Sequence, residues 1–391
     1  GRGRHAPIPP RSAPMCCGHL GCFICSAFAL PCGLALFTWS WGARVARRCV
    51  EPPETPLELE EDRDGRLAHV HVAYSSDLSN KSAVGLLTSM VTLARNLASP
   101  GEATIHLILP RERMPQVRSM LACFRRDLAA LPRLPNVSLH EKRPWLQVGE
   151  LDPRLRGEPY RRWLLRPETF TRTHLEEYLP TAPRVLWLDH DTVVKTDVTP
   201  LYRMRLRRPL AAAMEWCSYP MVPLPQEIFK PWCPLYYYLK LPRVWDEMNS
   251  RGFPPRDPRN HIFNTGVMVL DLERWRSQGF AKAIEELVRL TEGFEGDQGA
   301  VNLYFNGTEG VELLDWRWNI QHHLYHVFNT MPWPETCVGE ARILHFSGLS
   351  KPWKHCWHTG SQDPTCTSPF FWRVLEVFNS YASTHACPAL G

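Results

Sequence analysis

The most constraining feature of this sequence is an apolar run, Val185 to Leu188, that leads directly into Asp189-His190-Asp191. A short run of this kind predicts a strand that is buried on both faces of a sheet. Two carboxylates at the end of a buried strand need a compensating charge, because an unpaired buried charge is strongly destabilising. Mg²⁺ or Mn²⁺ would supply it, since both accept oxygen ligands and side chains at positions i and i+2 can reach one ion together. The alternative is a solvated turn or a helix cap, the usual setting of an isolated Asp-x-Asp.

The composition is that of a globular protein. The chain has 391 residues, of which 44% are hydrophobic and 15 are tryptophan, enough for one large domain or two. Its formal net charge of +5 is small for this length, and the sequence contains no recognisable nucleic-acid-binding motif. We therefore expect no nucleic-acid partner.

An N-terminal segment is apolar enough to cross a membrane. Residues 15–42 contain no Asp, Glu, Lys or Arg, and the segment is long enough to span a bilayer. It is also too long for the apolar core of a cleaved signal peptide. We expect a cytoplasmic tail over residues 1–14 and a membrane-spanning signal anchor over residues 15–42. A long cleaved signal or a buried helix is the alternative.

The residues after this segment indicate a secretory route. Residues 43–66 are rich in Arg, Pro and acidic residues and are expected to form a stem, with one folded domain over residues 67–391. Eight cysteines outside the apolar segment permit disulfides in an oxidising lumen, and the cluster from Cys337 to Cys387 is the expected place. Three Asn-x-Ser/Thr glycosylation motifs agree with this route, at Asn80, Asn136 and Asn306.

Strands alternate with helices along the rest of the chain, which predicts βαβ units and a mostly parallel sheet. Besides the strand before Asp189, apolar runs predict strands at 69–74, 103–109, 136–140, 210–216, 262–270 and 342–346. Helical periodicity predicts helices at 82–97, 114–131, 168–179, 280–291 and 297–305. The expected fold class is a single α/β domain.

Two stretches near predicted strands have side chains that suit a nucleotide ligand. Tyr74 and Asp77 follow the first strand, where an aromatic face and a carboxylate can hold a base and a ribose. Asn264 and Gly266 begin a later strand, and a glycine lets a ligand approach the backbone closely.

Two further stretches suit a phosphate and metal site. Asp297-Gln298 begins a predicted helix, and His345 and Lys351 offer an imidazole and an ammonium group six residues apart. Each has a plain structural alternative when taken singly: a helix cap, a core histidine and a solvated surface lysine. Their joint occurrence favours a site.

The order and spacing of these stretches resemble glycosyltransferase family eight, the retaining GT-A enzymes that include glycogenin, bacterial lipopolysaccharide galactosyltransferases and plant galacturonosyltransferase-like proteins. The resemblance runs from about Val70 to Trp353 and rests on the strand with Asp-x-Asp, on FNTGVMVLDLERW and on HFSGLSKPW. It implies a GT-A, Rossmann-like catalytic domain that transfers a hexosyl or uronosyl unit from a UDP-sugar to a glycan or glycoprotein acceptor. The plant group is the most similar, but it usually lacks the Asp297-Gln298 pair of glycogenin and the bacterial enzymes. Galacturonate, galactose, glucose and xylose therefore all stay open as donor sugars.

The resemblance also implies a role for each candidate residue. Mn²⁺ or Mg²⁺ would be bound by Asp189, Asp191 and His345. The nucleotide would be held by Tyr74 and Asp77 at the uracil and ribose and by Gly348 and Lys351 at the diphosphate. The donor sugar would be lined by the residues with a catalytic role, Arg172, Asn264, Asp297 and Gln298.

Two other functions use the same fold. A catalytically inactive carbohydrate- or nucleotide-binding scaffold would be favoured by loss of a metal carboxylate, of His345 or of Lys351, and the sequence retains all of them. A nucleotidyltransferase would show a glycine-rich basic loop after the first strand, where this chain has Ser75-Ser76-Asp77. We therefore expect a transferase of the Golgi membrane, single-pass and type II, with its catalytic domain in the lumen.

Overall fold

The computed structural model describes most of the chain after the apolar segment. The described residues are 56–62, 64–143, 167–215, 235, 242–291, 296–321, 339–347, 351 and 378–380. The expected cytoplasmic tail and membrane anchor, residues 1–42, lie outside them. Among the residues that are described, no helix is both long enough and apolar enough to cross a membrane.

The strand that precedes Asp189 lies in the middle of a mixed sheet. The strands that the described residues contribute to it are β1 Val70–Ser75, β2 Ala103–Leu109, β3 Asn136–Glu141, β4 Arg184–Leu188, β6 Leu210–Met214, β7 Phe263–Asp271 and β8 Glu312–Leu313. Their order is β3-β2-β1-β4-β7-β6-β8. β7 runs antiparallel to both of its neighbours, and the other pairs are parallel. The mostly parallel α/β sheet expected from the sequence is confirmed.

A second, smaller sheet lies beside the main one. It is made of β5 Thr192–Val194, β9 Ile320–Gln321 and β10 Ile343–His345, in the order β5-β10-β9. β10 is antiparallel to β5, and this register sets His345 opposite Thr192. The pairing therefore brings the end of β10 next to the two carboxylates. His345 and Asp191 are 154 residues apart in the chain, a separation that no local pattern reveals.

 The sequence predicts the late strand, but it gives no indication of this partner.

Helices cover both faces of the main sheet. Those longer than one turn are α1 Asn80–Asn96, α2 Met114–Asp127, α6 Pro242–Ser250, α7 Leu272–Gln278, α8 Phe280–Leu290 and α9 Gly296–Phe305, and the single-turn ones are α3 Pro167–Phe170, α4 Leu175–Tyr178 and α5 Thr199–Tyr202. α1 and α2 pack on one face together with the side chains of Val72 and Leu186. α4, α7, α8 and α9 pack on the other face together with Val185 and Trp187. β4 is thus buried on both faces, as its uninterrupted apolar run predicts.

One predicted helix is wrong in form. The sequence favours a continuous helix over residues 168–179, whereas the structure has α3 and α4 separated by a 3₁₀ turn, Thr171–His174. The hydroxyl of Thr173 donates to the carbonyl oxygen of Phe170 at 2.8 Å, a local side-chain bond that competes with a regular helix. The turn is buried and points Arg172 towards the end of β4.

Part of the expected stem packs on the domain. Leu59 forms a bridge with Met204, and Glu60 accepts a hydrogen bond from buried Arg184 at 2.6 Å. Arg184 also donates to the carbonyl oxygens of Tyr202 and Met204. Residues 57–60 therefore add to the fold before Leu67, the expected start of the domain. On α2, Cys123 is disulfide-bonded, and every other cysteine of the chain lies outside the described residues.

Candidate functional site

Three predicted metal ligands meet at the ends of β4 and β10. Asp189 and Asp191 follow β4, His345 ends β10, and one potential ligand atom from each lies within 4.8 Å of the other two. Nε2 of His345 is 3.3 Å from Oδ1 of Asp191 and 3.7 Å from Oδ2 of Asp189. The edge of the sheet thus brings together two carboxylates and one imidazole, which the sequence analysis grouped.

The environment of Asp191 fits a divalent cation. Its Oδ1 atom is buried and accepts no hydrogen bond, while its Oδ2 atom contacts the ammonium group of Lys351. Burial raises the pKa of Asp191, but the positive charges of Lys351 and His345 outweigh this effect and hold that pKa well below its usual range. An ionised, buried carboxylate with an unused oxygen that faces an imidazole and a second carboxylate is a donor set that suits Mn²⁺ or Mg²⁺.

Arg172 lies between two acidic groups. Its Nη1 atom is 3.1 Å from Oδ1 of Asp189, and its Nε atom is 2.9 Å from Oδ2 of Asp297. Nη1 also donates to the carbonyl oxygen of Thr265 at 2.7 Å, and the guanidinium lies 5.3 Å from the ring centre of Trp187. Burial lowers the pKa of Arg172, but the charges of the carboxylates outweigh this and raise it, so the group stays positive.

Asp297 and Gln298 lie at the start of α9, on the far side of Arg172 from the metal ligands. The side chain of Asp297 is only 1% exposed, and burial raises its pKa to about 6, an effect that Arg172 opposes. The ion pair is close, yet Oδ2 accepts no hydrogen bond, because the Nε–H bond of Arg172 is not directed at it. The 2.9 Å contact is therefore an ion pair, and Nε–H donates to the carbonyl oxygen of Thr169. Oε1 of Gln298 accepts from the backbone N–H of Thr265 at 3.1 Å, which fixes this amide at the start of β7.

Asn264 connects these groups to β6. Its Nδ2 atom donates to Oε2 of Glu215 at 2.7 Å and, more weakly, to Oε1 of Gln298 at 3.3 Å. Its Oδ1 atom accepts from the backbone N–H of Gly266 and from Nδ2 of Asn319, both at 2.9 Å. Both polar atoms of Asn264 are therefore hydrogen-bonded to other residues of the protein, and these bonds fix the orientation of its side chain. Its contact with a donor sugar stays a prediction.

The residues predicted to contact the nucleotide differ in their burial and in their hydrogen bonds. Lys351 is buried and donates to the carbonyl oxygen of Phe346 at 2.7 Å as well as contacting Asp191. Asp77 is half-buried and accepts from the backbone N–H of Ser79 at 3.1 Å, just before α1. Gly348 lies outside the described residues.

Tyr74 is placed less favourably for a ligand contact. Its side chain is fully buried in the core beneath α1, and its hydroxyl accepts a hydrogen bond from Ser89 at 3.1 Å. The ring therefore has no exposed face against which a base could stack in this structure. The expected uracil contact of Tyr74 stays a prediction that its placement does not favour.

The sequence analysis missed three residues that shape the site. Nε1 of Trp187 donates to Oδ1 of Asp189 at 2.9 Å, and Oδ1 of Asn319 lies 3.0 Å from Nδ1 of His345. Glu215 is the third, and it had a visible signal, since it is an acidic residue directly after a buried strand, as Asp189 is. Asn319 lies in a short 3₁₀ turn without any sequence pattern that marks it.

Comparison with known proteins identifies relatives of this chain. A model of the family described as glycosyl transferase family 8 matches residues 158–356. The chain is 30% identical over 246 residues to a protein of Arabidopsis thaliana named probable galacturonosyltransferase-like 7, covering 61% of this chain and 62% of that relative. It is 26% identical over 346 residues to probable galacturonosyltransferase-like 3 of the same plant, covering 86% of this chain and 87% of that relative.

A solved structure has the same fold. The galactosyltransferase LgtC, in complex with donor and acceptor sugar analogues, superposes with a TM-score of 0.51 at 20% sequence identity, covering 81% of this chain and 98% of LgtC. At this identity the likeness concerns the fold, which is of the GT-A type. The family match extends over half of the sequence and includes Arg172, both metal carboxylates and His345. The chain belongs to glycosyl transferase family 8.

Proposed function

We propose that this protein is a retaining glycosyltransferase that moves a hexosyl or uronosyl unit from a UDP-sugar to a glycan or glycoprotein acceptor, with Mn²⁺ or Mg²⁺ as its metal. The observation that supports the proposal most strongly is the group formed by Asp189, Asp191 and His345, with ligand atoms within 4.8 Å of one another. The nucleotide-sugar donor is in keeping with the GT-A fold and with membership of the family.

The proposed metal site would neutralise the diphosphate leaving group. A divalent ion held by Asp189, Asp191 and His345 would act as a Lewis acid on the departing UDP. Lys351 lies against Asp191, so its ammonium group is placed to exchange that carboxylate for a phosphate oxygen when a donor enters. The chain would thus supply both negative ligands for a metal and a buried positive charge for the phosphates.

Arg172, Asp297 and Gln298 would act on the sugar. Arg172 pairs with both Asp189 and Asp297, so it joins the metal end of the site to the opposite end. Positive charge that develops on the sugar ring during bond cleavage would be stabilised by the carboxylate of Asp297 and the amide oxygen of Gln298. For the retaining outcome we favour attack by the acceptor on the face from which UDP departs, with a phosphate oxygen accepting the proton of the acceptor.

We also propose that the protein works in the lumen of the Golgi, as a single-pass, type II membrane protein. The apolar residues 15–42 are in keeping with an anchor, and the disulfide bond of Cys123 is in keeping with an oxidising compartment.

The experiment that tests the activity is UDP release by the full-length chain in detergent. The chain would be incubated with UDP-galacturonate, UDP-galactose, UDP-glucose and UDP-xylose, each with Mn²⁺ and with a chelator. The matched control is Asp191→Asn, which keeps the shape of the side chain but removes a metal carboxylate. We expect release from one donor that needs Mn²⁺ and is lost in the control, and the donor that works names the sugar.

Other outcomes would point to other functions. Binding of Mn²⁺ and UDP without release from any donor, over a panel of glycan acceptors, would favour the scaffold. Formation of a nucleotide sugar and pyrophosphate from UTP and a sugar phosphate would establish a nucleotidyltransferase. A folded chain that binds neither Mn²⁺ nor UDP would refute the proposed site altogether.

A further inference from the structure

The metal ligand His345 is the end of a chain of buried amides. Its Nδ1 atom lies 3.0 Å from Oδ1 of Asn319, and Nδ2 of Asn319 donates to Oδ1 of Asn264 at 2.9 Å. Nδ2 of Asn264 in turn donates to Oε2 of Glu215 at 2.7 Å. The row therefore runs from the carboxylate of Glu215, directly after β6, through two amides to the imidazole of His345 on β10. Each of its four residues is at most 9% exposed.

The direction of every hydrogen bond in this row is fixed at one point. The backbone N–H of Gly266 donates to Asn264 at 2.9 Å, and a backbone N–H can only donate, so the atom that it contacts must be the amide oxygen. The amide nitrogen of Asn264 then faces Glu215, where an acceptor lies. The same oxygen of Asn264 can bond only a donor of Asn319, which must therefore turn its Nδ2 atom to Asn264 and its Oδ1 atom to His345.

The direction of these hydrogen bonds determines which ring nitrogen of His345 must carry a hydrogen. Because Oδ1 of Asn319 is an acceptor, Nδ1 of His345 must carry a hydrogen, so Nε2, which faces Asp189 and Asp191, is the only ring nitrogen that can give up its hydrogen to bind a metal. A histidine binds a metal through the nitrogen without a hydrogen, and the hydrogen bond at the other nitrogen orients the ring. The row thus holds the ring in the tautomer and orientation that metal binding requires.

We propose that Asn319 is a positioning residue for the metal site: it holds His345 in the Nδ1–H form with Nε2 directed at the metal. This inference rests on the proposed metal function, and it adds a residue that contacts neither the metal nor the donor. Because Asn319 and Asn264 bond each other, the same row also joins the metal ligand to the residues proposed to face the sugar.

The experiment measures Mn²⁺ binding by electron paramagnetic resonance, without any donor, on the full-length chain. The variants are Asn319→Leu, which removes the acceptor at a similar side-chain volume, and Asn319→Asp, which keeps an acceptor for Nδ1–H. Asn260→Leu is the control, since the partly buried Asn260 donates one side-chain hydrogen bond, to the carbonyl oxygen of Asn306, outside the row. We expect Kd for Mn²⁺ to rise by about 10- to 100-fold in Asn319→Leu, and to stay unchanged in the control.

The aspartate variant distinguishes positioning from a merely structural role. If Asn319 acts through His345, an aspartate there still accepts from Nδ1–H, although its second oxygen faces Oδ1 of Asn264 without a hydrogen to donate, and Kd for Mn²⁺ should stay close to the wild-type value. If Asn319 only fills space in the core, the new buried carboxylate should weaken binding as much as leucine does. The aspartate result decides the matter on its own if Asn319→Leu does not fold. A wild-type chain that fails to bind Mn²⁺ refutes the proposed function, whereas equal binding by the wild type and Asn319→Leu refutes only the role of Asn319.

Discussion

The imidazole of His345 occupies the space next to Gly266 where any other residue would place its side chain. A Cβ atom built on Gly266 would lie 2.1 Å from Cε1 of His345 and less than 3 Å from both ring nitrogens. The glycine of β7 therefore does not serve a turn or a positive φ. It leaves room for the imidazole of His345, which belongs to the smaller sheet.

Gly266→Ala should therefore remove the metal site. The ring of His345 would have to move away from Asp189 and Asp191, so we expect Kd for Mn²⁺ to rise by about 10- to 100-fold, as for loss of a support to a metal ligand. Overpacking should also lower the free energy of unfolding by about 1 to 3 kcal/mol. Gly339→Ala is the matched control, because a Cβ atom there meets nothing within 4 Å. Unchanged Mn²⁺ binding in Gly266→Ala would contradict the observed packing.

A second prediction concerns the charge that separates Asp189 from Asp297. Arg172→Met leaves the almost fully buried carboxylate of Asp297 without its ion pair, so we expect the free energy of unfolding to fall by about 3 to 5 kcal/mol. Adding Asp297→Asn removes the stranded charge and should restore a large part of the loss. Urea unfolding of the two single variants and the double variant measures this coupling. Losses that simply add would show that the two groups do not interact.

The fold and the two carboxylates of the proposed metal site could be predicted from the sequence because their signals are local, whereas His345 was grouped with them only through the family resemblance. β4 shows an uninterrupted apolar run, the two carboxylates follow it immediately, and α8 shows its helical periodicity over 11 residues. The small sheet could not be predicted as a unit, since strands of two or three residues such as β9 have no measurable period. The turn that carries Arg172 was predicted as helix for a related reason, because a 3₁₀ turn and a helix differ in hydrogen bonding while their sequences look alike.

The support of the site is a property of the tertiary structure alone. Asn319 and Glu215 act on His345 and Asn264 through hydrogen bonds whose direction depends on a backbone N–H of β7. An asparagine in a loop has many explanations in a sequence, and only the packed structure selects one of them. The three side chains of the proposed metal site could therefore be grouped in advance, whereas Asn319, which bonds one of them, could not.

Three histidines that contact one another across neighbouring strands predict how the free energy of unfolding depends on pH. Nδ1 of His71 lies 3.0 Å from Nε2 of His106, and Nδ1 of His106 lies 3.0 Å from Nε2 of His140, across β1, β2 and β3. Burial, with a smaller contribution from neighbouring histidines, lowers the pKa of His71 to about 4 and that of His106 to about 3. These imidazoles are thus neutral in the folded protein at pH values where the unfolded chain binds protons.

Stability should therefore be lost on the acid side. A histidine with a lowered pKa contributes its full stability above the unfolded value of 6.5, and the contribution falls as pH drops towards the folded pKa. For buried His106 the slope is about 1 kcal/mol per pH unit between pH 6 and pH 4. His106→Phe should make the free energy of unfolding less dependent on pH by that amount. Urea unfolding at pH 7, 6, 5 and 4 measures the difference, and parallel curves for the wild type and the variant would refute it.

The last prediction uses the two glycosylation motifs whose asparagines have described side chains. Asn136 is exposed at the start of β3, the edge strand of the main sheet, so its amide nitrogen is open to modification. Asn306 has its Nδ2 atom bonded to Glu309 at 2.6 Å and its Oδ1 atom bonded to the backbone N–H of Asp257 at 3.0 Å. In cells with a secretory pathway we expect a glycan on Asn136 and none on Asn306.

The measurement is gel mobility with and without an endoglycosidase. Asn136→Gln should abolish one step of the shift and Asn306→Gln should abolish none. Ser138→Ala removes the serine of the Asn136 motif and is the matched control, because it should abolish the same step while it keeps the asparagine. Among the described strands β3 lies at one edge of the main sheet, and a glycan on Asn136 would shield such an edge from pairing with other chains. We therefore expect Asn136→Gln to aggregate more readily than the wild type during secretion. A chain that is secreted or membrane-bound but never modified at Asn136 would contradict this, and a chain that enters no secretory compartment would contradict the proposed lumenal location.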